Sequence, residues 1–134
     1  MKVITAMAFD YGTKRIGVAI GQTISLTAEP LQVIKVKNSQ PNWNEINHLV
    51  DEWMPDIFVL GYPTTADKSP HFLLPKIQKF SRQLCSRYNK ELNFVDERLS
   101  SHATVDYTSE VRRIGLDAVA AKLILETWLS ELTI

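Results

Sequence analysis

A carboxylate, Asp10, follows an apolar run near the start of the chain and precedes a tight polar turn. Residues 3–9 have the composition of a strand, and Gly12 lets the chain reverse without a side-chain clash. A carboxylate beside a buried sheet costs free energy unless something positive meets it. A metal ion or a nest of backbone N–H groups would meet it, so the segment indicates chemistry on phosphates.

Two further carboxylates stand on separate elements: Glu97 follows a strand-like segment at 92–95, and Asp117 opens the last helical segment. Parallel pairing of the first strand with residues 92–95 would bring Asp10 and Glu97 to one edge of the sheet, where Asp117 could approach from the packed helix. Three acids without a basic partner repel one another. Two Mg²⁺ ions about 3.5–4 Å apart would turn them into a site for in-line attack on a phosphodiester.

Each of these acids also has a simpler interpretation when it is taken alone. Asp117 is favoured in the first turn of a helix by the helix dipole. Glu97 could pair with Arg98 or Lys14 at the surface, and Asp10 could be a turn former beside the glycine. The combination of three acids on these elements, in this order, favours the metal site.

Basic residues flank all three acids and are candidates for contacts with substrate phosphates, which give affinity without reading a base sequence. Two lie in the turn beside Asp10, one directly follows Glu97, and a pair precedes the last helix. These candidates are Lys14, Arg15, Arg98, Arg112 and Arg113. A solvated surface charge is the alternative for each of them.

The elements that position these residues alternate in type along the chain. Strands are predicted at residues 3–9, in the second arm of the hairpin that ends at Gly21, and at 31–36, 56–61 and 92–95. Helices are predicted at about 43–54, 72–88, 100–111 and 116–132. An antiparallel start followed by βαβ crossovers predicts an α/β fold with a mixed five-stranded sheet and helices on both faces. This order is typical of the ribonuclease H-like arrangement.

Composition bounds the remaining possibilities. The 134 residues fit one domain, 1–134, and Lys+Arg and Asp+Glu number 15 each, so a nucleic acid would have to be held by a local patch. No apolar stretch approaches the ~20 residues of a membrane span, and no signal segment precedes the first strand. We therefore expect a cytoplasmic protein without a membrane partner. The single cysteine, Cys85, is predicted to be a small core residue.

Three sequence blocks, residues 9–19, 96–101 and 117–125, resemble the signature blocks of the YqgF (RuvX) family. The resemblance spans nearly the whole chain and implies the ribonuclease H-like fold. The family is described both as a Holliday junction resolvase and as a nuclease that matures the 5′ end of pre-16S ribosomal RNA. By this likeness Asp10, Glu97 and Asp117 are the catalytic acids and bind Mg²⁺ or Mn²⁺, with two ions expected.

Two segments depart from the family pattern. Residues 61–68 read Gly-Tyr-Pro-Thr-Thr-Ala-Asp-Lys, whereas the family usually has a loop like Gly-Leu-Pro-Leu-Asn-Met-Asp-Gly. Residues 104–115 are shorter than the Gly- and Lys-rich segment of many members. If that segment holds nucleic acid in relatives, this chain binds more weakly or uses another partner to hold its substrate.

The resulting hypothesis is a metal-dependent endonuclease that acts on structured nucleic acid, with pre-16S rRNA favoured over branched DNA. Junction resolution normally requires a symmetric dimer, whereas we expect a monomer or weak homodimer. Two other classes stay open. Residues 10–13 also resemble the phosphate loop of sugar kinases and Hsp70-like ATPases, which use two such domains, and the chain could be a binding module without activity.

Overall fold

The computed structural model describes residues 3–63, 72–96 and 115–132, and these form an α/β fold with a mixed sheet. The strands are β1 (Thr5–Tyr11), β2 (Arg15–Gln22), β3 (Thr27–Lys37), β4 (Gln40–Pro41), β5 (Ile57–Tyr62) and β6 (Glu91–Asp96). The helices are α1 (Trp43–Trp53), α2 (Leu74–Tyr88) and α3 (Leu116–Glu131). The helix predicted at 100–111 lies outside the described residues.

The described sheet has six strands in the order β4-β3-β2-β1-β5-β6, so the prediction of five strands is wrong. The additional strand is the two-residue β4, which pairs with the end of β3 in a segment that was predicted to be a loop. The chain reverses there through Asn38 and Ser39, both at positive φ. Two residues are too few for a periodic pattern, so the sequence carries no signal for this strand.

The strand directions agree with the prediction, but the predicted pairing of the first strand with residues 92–95 does not. β1, β2 and β3 are antiparallel, whereas β5 and β6 are parallel to β1. β5 lies between β1 and β6, so the first strand does not pair directly with residues 92–95. In register, Phe9 lies beside Leu60 and Leu60 lies beside Phe94. The carboxyl ends of the three parallel strands therefore still meet at one edge of the sheet.

Alternation along the strands separates two cores of different composition. The side chains of Met7 and Phe9 join a core of large residues under α1 and α2. Those of Ala6 and Ala8 face α3 instead, in a core that also contains the alanines Ala19 and Ala28. Small side chains on this face let α3 approach the sheet closely, and this approach decides where its first turn lies.

The helices bury most but not all residues of the predicted stripes, and Leu73, directly before α2, and Tyr88, at its end, are only half-buried. α1 buries Ile46, Leu49 and Val50, but Trp53 at its last position is 39% exposed. α2 buries Ile77, Phe80 and Leu84. Cys85 is exposed, so its predicted place in the core is wrong. On α3, Val119, Ile124 and Leu125 are buried as predicted, whereas Ala120 and Leu123 are only half-buried.

None of the helices in the described part of the chain is long and apolar enough to cross a lipid bilayer.

Candidate active site

The site is built around the cross-strand pair of Asp10 and Gly17. Asp10 lies next to the end of β1, and its direct partner in the antiparallel register is Gly17 of β2. Because directly opposed residues project from the same side of a sheet, the Asp10 side chain shares a face with the Cα hydrogens of Gly17. Alternation from Ala6 and Ala8 identifies this face as the one that packs against α3.

The first turn of α3 rests directly on Gly17. A Cβ atom built at Gly17 would lie 1.8 Å from the backbone carbonyl oxygen of Asp117 and 2.7 Å from the backbone nitrogen of Ala118. Any side chain at Gly17 would therefore displace the helix. Since Asp10 faces Gly17 across the strand pair and Asp117 covers Gly17 from above, the two acids lie at one place on the sheet.

Gly115 starts the helix at this position. It is the N-cap residue of α3, and its φ of 118° lies in the region that favours glycine. As a glycine, this N-cap residue has no side chain with which to cap the helix, and Asp117 is the acidic residue of the first turn. The N-terminal dipole stabilises a carboxylate in this turn, which agrees with the simpler interpretation of Asp117. The contact with Gly17 in addition places the backbone of Asp117 beside the strand pair that carries Asp10.

Arg15 forms an ion pair with one of the predicted acids. Its Nε atom donates a hydrogen bond to Oδ2 of Asp117 at 3.0 Å. The Arg15 side chain is 58% exposed and that of Asp117 is 31% exposed, so water and ligands reach the pair. Arg15 was predicted to contact substrate phosphate, and the sequence reasoning missed its partner. The i, i+2 spacing of Arg15 and Gly17 on β2 was a signal for it, because it puts both residues on the α3 face.

Lys14, the other predicted basic residue of the turn, is exposed. Its backbone carbonyl accepts a hydrogen bond from the Val36 N–H at 2.9 Å, which ties the turn to β3. The turn is also tight at Gly12, where a Cβ atom would lie 2.7 Å from the Arg15 carbonyl oxygen. The backbone that carries Lys14 and Arg15 is therefore held in place beside the carboxyl end of β1.

Tyr11 follows Asp10 but points to the opposite face of the sheet. Its ring packs against Phe80 of α2 with centroids 5.2 Å apart. Burial raises the pKa of the Tyr11 hydroxyl above its ordinary value of 10.0. The hydroxyl therefore stays protonated at neutral pH, and Tyr11 anchors the end of β1 to α2 rather than to the acids.

The remaining predicted site residues, Glu97, Arg98, Arg112 and Arg113, lie outside the described residues, as does Asp67 of the atypical loop. β6, the strand before Glu97, ends at Asp96, which pairs with Tyr62 at the end of β5. Among the described residues no three His, Cys, Asp or Glu side chains come together as a metal site. The structure thus brings together two of the three predicted acids, and the third is not described.

The donor chemistry of these two acids fits a hard divalent cation. Asp10 and Asp117 offer carboxylate oxygens, the ligand type that Mg²⁺ and Mn²⁺ prefer. The guanidinium of Arg15 engages Oδ2 of Asp117 and would compete with a cation for that oxygen. A cation held by Asp117 would therefore use its other carboxylate oxygen or displace Arg15 from Oδ2.

Comparison with known proteins identifies the family. Residues 4–131 match the family model described as "RuvX: Holliday junction resolvase". The chain belongs to the RuvX family. The recognition made from residues 9–19, 96–101 and 117–125 is thereby confirmed.

Relatives of this RuvX chain carry a second description. A protein of Aeromonas hydrophila named "Putative pre-16S rRNA nuclease" is 41% identical in an alignment of 134 positions. The alignment covers 93% of this chain and 94% of that protein. A protein of the same name from Polynucleobacter necessarius is 43% identical, with 96% and 86% covered. The alignments extend over nearly the full length of both relatives.

Solved structures of low identity share the fold. Thermus thermophilus RuvC in complex with a Holliday junction substrate matches with a TM-score of 0.63 at 12% identity, covering 97% of this chain and 96% of RuvC. The fowlpox virus resolvase in complex with Holliday junction DNA matches with a TM-score of 0.58 at 15% identity, covering 98% and 100%. At these identities the likeness shows the fold of the RuvX chain alone.

Proposed function

We propose that this RuvX protein is a metal-dependent endonuclease that cleaves phosphodiester bonds in structured nucleic acid, with the 5′ end of pre-16S rRNA as its substrate. The observation that carries the proposal is the convergence of Asp10 and Asp117 on Gly17. Two carboxylates that converge on one place repel each other, and a divalent cation bound between them would relieve that repulsion.

Each residue has a defined part in the proposed reaction. Asp10 and Asp117 hold divalent metal, Mg²⁺ or Mn²⁺, and Glu97 is the third ligand. When bound, the metal neutralises charge on the scissile phosphate and lowers the pKa of a coordinated water. Arg15 orients the Asp117 carboxylate through its Nε–H, and its exposed guanidinium lies where an approaching phosphate would meet it.

The other basic residues bind substrate. Lys14 is exposed in the turn beside Asp10 and contacts phosphate there, while Arg98, Arg112 and Arg113 contribute further phosphate contacts. Residues 1–134 act as one nuclease domain, and the compartment is the cytoplasm.

Ribosomal RNA is favoured over branched DNA by the names of two relatives and by the expected assembly. Relatives at 41% and 43% identity are named for pre-16S rRNA. The family description names the Holliday junction, which makes resolution the second candidate. A resolvase cuts two strands at symmetric positions and requires a dimer, whereas we propose a monomer or weak homodimer.

Cleavage of two labelled substrates tests the proposal: a pre-16S 5′-leader RNA and a four-way DNA junction, each with Mg²⁺, Mn²⁺ or EDTA. We expect metal-dependent cutting of the RNA and at least about a 100-fold loss in Asp10→Asn, the scale of removing a group that stabilises transition-state charge. Asp56→Asn is the matched control. Asp56 lies at the amino end of β5, where its Oδ2 accepts a hydrogen bond from the Thr5 N–H at 2.9 Å.

The outcomes separate the candidates. Symmetric cutting of the junction alone, together with a dimeric mass in sedimentation, would transfer the assignment to resolution. An Asp10→Asn protein that cuts as well as wild type would show that these acids are not the catalytic site. Failure to cut either substrate, when calorimetry shows bound metal, would leave the binding module as the function.

A further inference from the structure

α2 carries a one-sided set of basic residues that the proposed active site does not use. Its 15 residues contain four Lys or Arg and no Asp or Glu, and Lys90 follows directly after the helix. These five cations are Lys76, Lys79, Arg82, Arg87 and Lys90. They are a third of the chain's 15 Lys and Arg, although the chain as a whole is neutral. We call this set the α2 basic stripe.

The spacing of the stripe places its charges on one side of the helix. Residues three, four or seven apart in a helix share a face, and Lys76, Lys79 and Arg82 follow this spacing. Four of the five cations are exposed, and Lys90 is half-buried. None of the five forms an ion pair with a carboxylate in the described part of the chain. The charge of the stripe is therefore not neutralised within the described residues.

The middle of the stripe is concave and partly fixed in place. Lys79, Arg82 and Arg87, together with Gln83 and Ser86, line a shallow depression of about 410 Å³. The Arg87 guanidinium stacks over the ring of Trp43 on α1 at 4.0 Å, which limits its rotation. A cation that is already held loses less side-chain entropy on binding an anion.

The neighbouring helix has the opposite charge. α1 carries Glu45, Asp51 and Glu52 and contains no Lys or Arg. The contact between Arg87 and Trp43 shows that α1 lies against α2, so a polyanion on the stripe is repelled on the α1 side. Two helices of opposite charge thus confine an anionic ligand to a path along α2.

Because of the direction of α2, this path ends at the carboxyl edge of the sheet, which carries Asp10 and is called the catalytic edge below. α2 connects the end of β5 to the start of β6, and these strands are parallel, so α2 runs antiparallel to both. Its first turn, near Lys76, is therefore at the carboxyl edge of the sheet, where Asp10 lies. From Lys76 to Arg87 the helical part of the stripe extends for about 16 Å at 1.5 Å per residue, a length that spans several phosphates of a nucleic-acid strand.

We propose that the α2 basic stripe binds the phosphodiester backbone of the nucleic-acid substrate and leads it from the outer face of the sheet to the catalytic edge. The inference rests on the proposed function for the identity of the polyanion. The contact is independent of base sequence, because cations on an exposed helix face meet phosphates without entering a groove. It would add to the phosphate contacts proposed for Lys14, Arg98, Arg112 and Arg113.

Binding to 20-base-pair duplexes of RNA and of DNA tests the stripe separately from cleavage. All proteins carry Asp10→Asn, so that the ligand stays intact, and affinity is measured by fluorescence anisotropy across a salt series. Lys79→Gln/Arg82→Gln removes two charges of the stripe. The matched control, Gln22→Glu/Ile24→Glu, changes the net charge equally on the β2–β3 hairpin, where both residues are exposed.

We expect the stripe variant to bind at least about tenfold more weakly at 0.1 M salt, with a log–log salt slope reduced by about 1.8. The control variant should have the same affinity and the same salt slope as the Asp10→Asn protein without further changes. Equal weakening of RNA and DNA supports a contact with the shared backbone, and a loss confined to RNA supports the stripe as an RNA-specific site. Equal values for the stripe variant and the control would overturn the proposal.

Lys76→Gln/Lys90→Gln, which changes only the ends of the stripe, provides a second variant if the first one unfolds. The test is also separable from the proposed function. If the protein with Asp10 intact cuts neither substrate, a reduced salt slope in the stripe variant would still retain the stripe and reject the nuclease. Normal cutting by the protein with Asp10 intact, together with an unchanged salt slope in the stripe variant, would retain the nuclease and reject the stripe.

Discussion

Arg15 and Asp117 are 102 residues apart in sequence and join the start of β2 to the first turn of α3 through a 3.0 Å hydrogen bond between Nε and Oδ2. Because both side chains are accessible to solvent, the pair stabilises the fold only weakly, by roughly 0.2–1 kcal/mol. Because the ion pair engages one of the two converging acids, we expect it to affect the binding of a cation more than it affects folding. Arg15 holds the Asp117 carboxylate and competes with a cation for it.

We predict that Arg15→Gln increases the affinity of the free protein for Mn²⁺ by about 1.4- to 5-fold, the factor that corresponds to the roughly 0.2–1 kcal/mol of the ion pair it removes. Calorimetric titration without nucleic acid measures this directly. Lys14→Gln is the matched control, since it removes one charge from the same turn without a contact to Asp117. Equal or weaker Mn²⁺ binding by Arg15→Gln, relative to Lys14→Gln, would contradict competition at Oδ2.

The contact between Gly17 and α3 predicts that a side chain at Gly17, a residue of the sheet, will displace α3 and with it Asp117. In Gly17→Ala the new methyl group meets backbone rather than a movable side chain, so α3 must shift. We expect a loss of about 3 kcal/mol in the free energy of unfolding, at the upper end for overpacking, and a loss of cleavage because Asp117 moves away from Asp10. Urea denaturation and cleavage rates measure the two effects.

Leu84→Ala serves as the control for stability. Leu84 is fully buried on α2, at the opposite face of the sheet, and its truncation costs about 2–5 kcal/mol. At a temperature where both variants are folded, Leu84→Ala should retain the wild-type kcat and Gly17→Ala should not. Equal kcat values would mean that the position of α3 is unimportant for the chemistry.

Much of the sheet was predictable because period-two alternation is a local property. The run from Ala6 to Phe9 already separates into small and large faces, and the small face anticipates close packing of a helix. The position of β5 between β1 and β6 was not readable in this way. It depends on which strands pair across the molecule, and both pairings satisfy the same apolar pattern.

The failures at Cys85 and Arg15 have separate physical causes. Cys85 follows the buried Leu84, and a step of 100° around the helix takes its side chain out of the buried stripe, which a list of apolar residues does not show. The partner of Arg15 depends on where α3 docks, and that position is set by the absence of a side chain at Gly17. Glu97 stays a prediction, since it lies outside the described residues.

Burial of two tyrosines predicts how stability changes at alkaline pH. Burial raises the pKa of the Tyr11 hydroxyl above 10.0, and it does the same at Tyr88, where Asp51 adds to the rise and Arg87 opposes it. Above pH 10 the unfolded chain loses these protons first, so the free energy of unfolding falls as pH rises further. Below pH 10 the contribution of both groups is fully present.

Urea denaturation between pH 8 and pH 11 measures this decline, and Tyr11→Phe should make it shallower. The substitution removes the titrating hydroxyl and keeps the ring that packs on Phe80. Tyr88→Phe is less clean, because the Tyr88 hydroxyl also donates a hydrogen bond to Oδ1 of Asn47. An alkaline decline in Tyr11→Phe as steep as in wild type would show that Tyr11 titrates alike in the folded and unfolded states.

The proposed binding of metal by the two acids predicts a stabilisation that requires both of them. A ligand that binds only the folded state stabilises it by RT ln(1 + [L]/Kd), about 2.7 kcal/mol at a hundredfold excess over Kd. Mg²⁺ or Mn²⁺ should therefore raise the Tm of the wild-type protein, and Asp10→Asn and Asp117→Asn should each remove most of that rise. Asp56→Asn, which changes a carboxylate at the opposite edge of the sheet, should keep this rise in Tm.

A rise in Tm that survives in both Asp10→Asn and Asp117→Asn would place the cation elsewhere on the molecule. The convergence of Asp10 and Asp117 on Gly17 would then need another explanation.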